Sequence, residues 1–427
     1  MGNKLTLNIN NLIDIKPDKL IGLYQDKVNK IYNDIEEKRA VGSDDWMGWR
    51  MLPINYDQKL LTKMQEQVSK WNKLGITKLV VIGIGGSYLG AKAAIDMCYK
   101  SIKNVTIEWV HNISSDYIDG LCRKLAKQIF GIVVISKSGT TLEPAIGFKI
   151  FKDLLAKFVG PSNVNKYIVA ITDANKGTLL QQAKHSDWCT LPIPDDIGGR
   201  FSMLTPVGMF IMMYAGLNWK QMLLGAKDAY KDTISSNLEI NSAARYAAIR
   251  HYLYTNKKYA FENVNFYDPH LLALGEQWKQ MFCESEGKDK KGLFETCSLF
   301  TTDLHSLGQY FQDGTRNFYE LTVLVTKPNK EIKLNFKNDE HFEYLNNKTL
   351  DFVNKAAFNG TIAAHTNEGK VNNIVIEIEH SDEYNYGYLS MWLSMVVTID
   401  AYLLGVNPFN QPGVEAYKKG MMSNLKK

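Results

Sequence analysis

Hydrophobic and polar positions change their spacing several times along this chain. Over residues 1 to about 50, apolar side chains recur at steps of three and four, which predicts helix; they are Leu20, Leu23, Tyr24, Val28, Ile31 and Ile35. A second helix is predicted at about 56–73. Residues 78–84 then form a continuous apolar run that ends in glycines. Such a run is typical of a strand buried on both faces of a parallel sheet.

Strand-like runs and helical stretches alternate through the rest of the chain. The first series predicts strands at 78–84, 105–110, 130–135 and 167–171, with helices at 88–99, 114–128 and 143–158. A helix-rich stretch from Met203 to about Tyr254 follows. The second series starts at residues 259–261 and predicts strands at 293–299, 318–325 and 373–378, with helices at 269–284, 350–358, 386–403 and 409–427. This rhythm predicts an α/β fold of the doubly wound type, with helices on both faces of the sheet.

Length and composition narrow the function without defining it. The 427 residues suit two domains, predicted as an N-terminal helical arm (1–55), a first domain (56–235) and a second domain with a C-terminal helix (236–427). The net charge of +5 is small and no basic cluster stands out, so no nucleic-acid partner is expected. No run of about 18 apolar residues predicts a membrane span.

The five cysteines are widely scattered and show no zinc-site spacing. We therefore expect reduced thiols in a cytoplasmic protein. The first residues, 1–5, lack the apolar stretch of a signal peptide, so none is expected.

A glycine-rich turn follows the first predicted buried strand. Residues 83–90 read GIGGSYLG, and Gly85, Gly86 and Ser87 lie where the strand gives way to a helix. Backbone N–H groups at such a turn can approach an anion, and the start of the helix adds partial positive charge. The simpler interpretation is a tight strand-to-helix turn. A nicotinamide site would need an acidic residue about 20 positions further on, and Glu108 is poorly placed for that role.

A second turn is rich in hydroxyl groups. Ser136, Lys137, Ser138 and Thr141 lie in the run SKSGTT, after the predicted strand 130–135 and before a helix. Hydroxyls and backbone amides at a helix start can surround a phosphate, and the Walker pattern of nucleotide sites is absent. The alternative is a capping cluster alone, although four hydroxyls exceed that need. Ligands bind at the carboxyl ends of strands in such sheets, so both turns are expected to hold one phosphate.

Four separated runs resemble motifs of a known family. The SKSGTT turn resembles the phosphate loop of sugar-isomerase domains. The runs at 196–202 (DIGGRFS), 284–288 (ESEGK) and 409–418 (FNQPGVEAYK) are similar to signatures of the phosphoglucose isomerase family. Together the motifs span residues 83–418. One departure is Glu286, which stands where many members carry Asn and lies two residues after Glu284.

The resemblance implies two sugar-isomerase domains, each an α-β-α sandwich, in a homodimer with a shared active site and no metal or organic cofactor. It implies reversible isomerisation of glucose 6-phosphate to fructose 6-phosphate, in glycolysis and gluconeogenesis, through an enediol. By position it implies a proton-transferring base at Glu284, a ring-opening pair at His305 and Lys418, and an enediolate-stabilising cation at Arg200.

The residues themselves support these roles unequally. Gln280 and Glu284 share one face of the predicted helix, and Gln280 is suited to bind a sugar hydroxyl; a solvated helix end is the simpler interpretation of Glu284. Arg200 follows two glycines, which favours a close, desolvated cation. Among eight histidines, no pattern singles out His305, and Lys418 depends on the resemblance.

Two other functions remain open from the sequence. A relative acting on mannose 6-phosphate, or on both epimers, would hold the phosphate in the same way. A sugar-phosphate sensor would bind without turnover, but such proteins commonly carry a basic DNA-binding module, and none is visible here.

Overall fold

The computed structural model describes residues 5–426. Residues 1–4 and 427, at the ends of the predicted N-terminal arm and C-terminal helix, lie outside the described part. Within it the strands are β1 Thr6–Asn11, β2 Lys78–Ile82, β3 Thr106–Val110, β4 Gly131–Ile135, β5 Ile168–Asp173, β6 Cys189–Ile193, β7 Phe261–Phe266, β8 Phe294–Leu299, β9 Phe318–Val325 and β10 Asn373–Ile378.

The helices of the same residues vary from single turns to 21 residues. They are α1 Pro17–Glu36, α2 Ser43–Trp46, α3 Gly48–Met51, α4 Gln58–Lys73, α5 Leu89–Met97, α6 Ser115–Leu125, α7 Leu142–Val159, α8 Thr178–His185, α9 Pro206–Ala215, α10 Trp219–Thr233, α11 Ser242–Lys257, α12 Leu272–Glu286, α13 Gly308–Asp313, α14 Leu350–Asn367, α15 Glu383–Leu403 and α16 Glu415–Leu425.

The chain folds into two compact units. One is Ser43–Lys227, and the other combines the residues up to Gly42 with those from Asp228 onward. We call them the inner unit and the outer unit, after their positions in the sequence. The division of the chain at 55/56 and 235/236 stays a prediction.

The inner unit contains a parallel five-stranded sheet in the order β3-β2-β4-β5-β6. Every residue of β4 and β5 is buried, which explains their continuous apolar sequences. Phe148, Phe151 and Leu155 of α7 pack into the same core. The chain moves from β2 to β3 on one side and then returns to place β4 on the other side of β2. Right-handed crossovers in opposite directions place helices on both faces.

The outer unit repeats this plan with one addition. Its sheet has the order β1-β10-β9-β7-β8, in which β7 to β10 are parallel and β1 pairs antiparallel with β10. Helix α15 is buried along almost its whole length and packs against α11 and α12. The predicted doubly wound α/β class is therefore confirmed in both units.

Some local predictions were wrong. Residues 6–11 were included in a helical segment but form the edge strand β1, because their apolar and polar side chains alternate and the backbone finds a partner in β10. The helix predicted at 350–358 extends to Asn367. Helix α8 and strand β6 were not predicted. Strands β9 and β10 have the predicted bounds.

Candidate active site

The two turns predicted to bind phosphate follow neighbouring strands of the inner unit. Residues 83–88 continue from β2, residues 136–141 continue from β4, and β2 pairs directly with β4. The chain direction reverses between these two strands, because β3 lies on the far side of β2. Ligands of open α/β sheets bind in the crevice at this switch point, outside the carboxyl ends of the strands. The structure thus brings the predicted turns together at the expected place.

Gly86 lets the first turn lie directly against a third segment. A Cβ atom on Gly86 would come within 2.2 Å of the carbonyl oxygen of Gly199 and 2.7 Å of the amide nitrogen of Arg200. Only glycine fits such an approach. Gly85 has φ +57° and starts the 3₁₀ turn Gly85–Ser87. The predicted residues Gly85, Gly86 and Arg200 are therefore neighbours.

Two serine hydroxyls of the second turn maintain its shape. Ser136 Oγ accepts a hydrogen bond from the amide of Gly139 at 3.1 Å, and Ser138 Oγ accepts one from the amide of Thr140 at 3.2 Å. Gly139 has φ +75°, and a Cβ there would lie 2.3 Å from the amide nitrogen of Leu179 at the start of α8. The turn is thus fixed both by its own hydroxyls and by α8.

Two further hydroxyls are not used by the fold. Thr141 is the N-cap residue of α7, yet its side chain accepts no capping hydrogen bond. Within residues 5–426, neither the Thr141 hydroxyl nor that of half-buried Ser87 hydrogen-bonds to another group. With the amides at the start of the 18-residue helix α7, they form a donor set for an anion. Capping alone therefore does not explain Thr141.

The side chain of Lys137 is directed to the loop before Arg200. Its Nζ donates to the carbonyl oxygens of Pro194 at 3.3 Å and Asp195 at 3.1 Å, and it lies 3.6 Å from Asp195 Oδ1. It also lies 5.5 Å from the ring centre of Trp46. Because the Lys137 side chain is engaged in these contacts, the geometry favours its backbone N–H over its charge as a contribution to the predicted phosphate turn. The charged Nζ of Lys137 connects the second turn to residues 194–195, in the loop that precedes Arg200.

Arg200 is a buried cation at this end of the sheet. It belongs to the 3₁₀ turn Gly199–Phe201 and is only 4% exposed. Its guanidinium carbon lies 5.4 Å from the ring centre of Phe201, which in turn stacks on Trp49 at 5.3 Å. Ser202 Oγ donates to the carbonyl oxygen of Gly199 at 2.6 Å, closing the turn. A desolvated guanidinium is well suited to stabilise developing negative charge.

The predicted base lies in the outer unit, in the last turn of α12. Glu284 is half-buried, and its Oε2 accepts a hydrogen bond from Gln280 Nε2 at 2.9 Å. The predicted pair on one helix face is thus in contact. Lys418, near the start of α16, bonds Glu415 at 2.9 Å. This hydrogen bond raises the pKa of Lys418, and the charges of Glu415 and Glu284 act in the same direction.

His305 occupies a different part of the outer unit. It ends the exposed 3₁₀ turn Thr302–His305 that follows β8. Asp303 fixes this turn by accepting a hydrogen bond from the amide of Leu299 at 2.7 Å. Among the described residues, His305 makes no hydrogen bond or ion pair. No such bond joins it to Lys418, the other residue of the predicted ring-opening pair.

Sequence reasoning missed what the residues around these motifs do. Gly199 was noted only as part of a motif, whereas its carbonyl is the surface that Gly86 contacts. The carbonyls of Pro194 and Asp195, which bind Lys137, carry no sequence signal. Glu286 was noted only as a departure, although it belongs to a buried ionic cluster described below.

Residues 5–426 contain neither a cluster of metal-ligating side chains nor a helix suited to span a membrane. No His, Cys, Asp or Glu side chains gather there in threes or more as a metal site. No helix there is both long and apolar enough to cross a membrane.

Known proteins resemble this chain over nearly its whole length. The family model for phosphoglucose isomerase matches residues 58–336. The glucose-6-phosphate isomerase of Mycoplasmopsis synoviae is 44% identical over 413 residues, covering 95% of each chain. The chain belongs to the phosphoglucose isomerase family.

Solved structures agree with this family on the fold. A hypothetical protein, TT0462, from Thermus thermophilus matches with a TM-score of 0.90 at 25% identity, over 99% of this chain and 100% of that one. The glucose-6-phosphate isomerase of Chlamydia trachomatis matches with a TM-score of 0.83 at 20% identity, over 99% and 88%. The resemblance predicted from the four motifs is confirmed, and phosphoglucose isomerase membership makes the chain an isomerase of a sugar phosphate.

Proposed function

We propose that this protein interconverts glucose 6-phosphate and fructose 6-phosphate through an enediol, as a step of glycolysis and gluconeogenesis. The observation that carries the proposal is the donor set at the β2/β4 switch point, where Ser87 and Thr141 present hydroxyls that the fold leaves unused. Family membership gives these donors a substrate class, since its named members act on glucose 6-phosphate.

The proposal assigns phosphate binding to the inner unit. Ser87 and Thr141 donate from their hydroxyls, while Gly85, Gly86 and Lys137 offer backbone N–H groups. Ser136 and Ser138 hold the second turn in shape. Ser136 acts there only as an acceptor and retains its hydroxyl hydrogen for the ligand, whereas the Ser138 hydroxyl also bonds that of Thr140 at 2.8 Å. Recognition by neutral donors fits the small net charge of +5. Fixing the phosphate end orients the carbons that react, which contributes several orders of magnitude to the rate.

The proposal assigns proton transfer to the outer unit. Glu284 removes the proton from C2 of the open aldose and returns it to C1, while O1 gains a proton and O2 loses one. Together these transfers convert the aldehyde to the ketone through the enediol. Its hydrogen bond from Gln280 orients the carboxylate. A positioned carboxylate contributes about 10²- to 10⁴-fold to such a step. Arg200 stabilises the negative charge that develops on the enediolate oxygen.

Ring opening precedes this transfer and needs an acid and a base. We assign it to His305 and Lys418. His305 is exposed and has no hydrogen-bonding partner among residues 5–426 of one chain, which supports a role in the active site of a second subunit. Lys418 lies in the electrostatic field of Glu284, which supports its action beside the base.

An exposed apolar surface supports the homodimer. Ile332, Phe342, Tyr344, Leu350 and Phe352 are each between 47% and 70% exposed. They are neighbours, since Phe342 and Tyr344 have ring centres 6.4 Å apart and the Leu350 amide donates to the Ile332 carbonyl. Contiguous exposed apolar surface of this kind marks protein interfaces. A second copy of the chain is the partner we propose for it.

A cytoplasmic location completes the proposal. None of the five cysteines forms a disulfide, as expected in a reducing compartment.

A coupled assay of glucose 6-phosphate formation tests the assignment of the base. Glu284→Gln should lower kcat by at least about 10²-fold with little change in KM, because binding survives while proton transfer does not. Glu276→Gln is the matched control, since Glu276 lies two turns earlier on α12 and is paired with Lys279 at 2.6 Å. Wild-type kcat in Glu284→Gln would reject the assignment. Comparable turnover of mannose 6-phosphate would indicate a dual-epimer enzyme.

A further inference from the structure

A buried ionic cluster lies behind the last turn of α12. Arg250 of α11 is fully buried; its Nη2 donates to Glu295 at 2.8 Å and to Glu286 at 3.1 Å, and its Nε donates to Asp400 at 2.8 Å. It also forms an ion pair with Glu262, and its guanidinium carbon lies 3.7 Å from the ring centre of Phe282. One cation therefore meets four buried carboxyl groups.

The charges of this cluster do not balance if all four acids are ionised. Among the described residues, one oxygen each of Glu286, Glu295 and Asp400 accepts no hydrogen bond from an N–H or hydroxyl group. An unpaired buried carboxylate costs several kcal/mol, so such groups retain protons. Burial, reinforced by the charge of Asp400, raises the pKa of Glu286 well above its ordinary value. Burial also raises the pKa of Asp400, but Arg250, His251 and a hydrogen bond with the Glu286 side chain oppose that rise. We therefore place the proton on Glu286.

Other titratable groups surround Glu286 and Asp400 from the neighbouring elements. They are Tyr24 of α1, Tyr246, Arg250 and His251 of α11, Glu262 of β7, Cys283 of α12, Glu295 of β8 and Tyr319 of β9. Tyr246 and Tyr319 both donate to Glu262, so Glu262 accepts from two hydroxyls as well as from Arg250. Glu286, by contrast, receives only the Arg250 donor among the described residues.

Glu286 and Glu284 point to opposite sides of the same helical turn. Residues two apart in an α-helix are separated by about 200° around its axis. Accordingly Glu286 is 1% exposed and held by Arg250, while Glu284 is half-buried and held by Gln280. Helix α12 ends at Glu286, where the amide of Gly287 donates to the carbonyl of Cys283 at 3.1 Å. The contacts of Glu286 therefore set the rotation and the end of the turn that carries Glu284.

We infer that Glu286 is a positioning residue for Glu284: its buried side chain bonds both Arg250 and Asp400, and so fixes the last turn of α12. The inference rests on the proposed function, because it matters only if Glu284 moves the proton. Bonding both Asp400 and Arg250 requires one hydrogen-bond donor and one acceptor on a side chain as long as that of glutamate.

Three variants test this inference through kcat and KM. Glu286→Gln keeps a donor and an acceptor, so its kcat should stay close to that of the wild type. Glu286→Ala should lower kcat about 10- to 100-fold with KM nearly unchanged, because a misplaced reacting group costs that much. Glu320→Ala is the control: Glu320 of β9 is also buried in the outer unit, but it bonds His365 at 2.7 Å and Asn265 at 3.0 Å. It should destabilise the protein without this loss of kcat.

The results separate this inference from the proposed function. Wild-type kcat in Glu286→Ala, or an equal loss in Glu320→Ala, would overturn the inference while Glu284→Gln still defines the base. An inactive wild-type protein would instead overturn the proposed function. If Glu286→Ala does not fold, infrared spectroscopy of Glu286→Gln decides. Well above the pKa of Glu295, about 7, the wild type should show a protonated-carboxyl band that Glu286→Gln loses. An unchanged band would overturn the inference.

Discussion

Replacing Glu295 by glutamine should change how the stability of the protein depends on pH. Glu295 is fully buried, and Arg250 donates to one of its oxygens at 2.8 Å while the other has no partner among residues 5–426. Burial raises the pKa of this carboxyl from 4.5 to about 7. Between these values the folded protein holds a proton that the unfolded chain has released, so stability falls as pH rises through this window.

The size of the effect follows from the two pKa values. Each pH unit of difference is worth about 1.4 kcal/mol, so the free energy of unfolding should lose about 3 kcal/mol between pH 4.5 and pH 7 because of Glu295. Above pH 7 the loss is complete. Glutamine cannot ionise, so the Glu295→Gln variant does not undergo this loss of stability. The difference in unfolding free energy between Glu295→Gln and the wild type should therefore shift in favour of the variant by about 3 kcal/mol across this window.

Urea unfolding followed by the fluorescence of buried Trp278 and Trp392 at both ends of the window measures this difference. A glutamine at exposed Glu331 is the matched control and should show no such shift. A constant difference between Glu295→Gln and the wild type at both pH values would refute the buried-acid reasoning, and with it the charge count around Arg250.

Two further predictions concern the phosphate turns. Gly86→Ala should sharply weaken binding of inorganic phosphate and of fructose 6-phosphate, because the new Cβ would lie 2.2 Å from the Gly199 carbonyl oxygen. Gly198→Ala is the control and should bind both ligands normally, because the nearest atom to its Cβ would be 3.9 Å away. Titration calorimetry measures the affinity of each variant. Thr141→Val should raise KM about 10- to 100-fold by removing a hydrogen bond to a charged group, with thermal stability unchanged because Thr141 does not cap α7. A lowered melting temperature with unchanged KM would show that its hydroxyl serves the fold instead.

The inner unit was predictable because its strands are buried on both faces. The sequences of β2 and β4 contain almost nothing but apolar residues, so their bounds and the turns that follow them could be read directly. Strand β7 was anticipated only at its start, since it carries Glu262, Asn263 and Asn265 at buried positions. Those polar side chains are buried because partners from other elements bind them, and a single sequence does not reveal such partners.

The candidate site shows the same limit. Glycine and hydroxyl patterns located both phosphate turns, because strand order brings the ends of neighbouring strands together. The close approach of Gly86 to Gly199 joins positions more than a hundred residues apart, and no local pattern encodes it. His305 and Lys418 came from the family resemblance alone, and their roles stay predictions.

Incubating the purified protein with fructose 6-phosphate in deuterated water, followed by NMR, tests the central claim most directly. An enediol route through Glu284 predicts glucose 6-phosphate with deuterium at C2, because a carboxylate that takes up a carbon-bound proton can exchange it with solvent. The same reaction should be absent with Glu284→Gln. Glucose 6-phosphate entirely free of deuterium, or turnover that persists in Glu284→Gln, would contradict proton transfer by this residue.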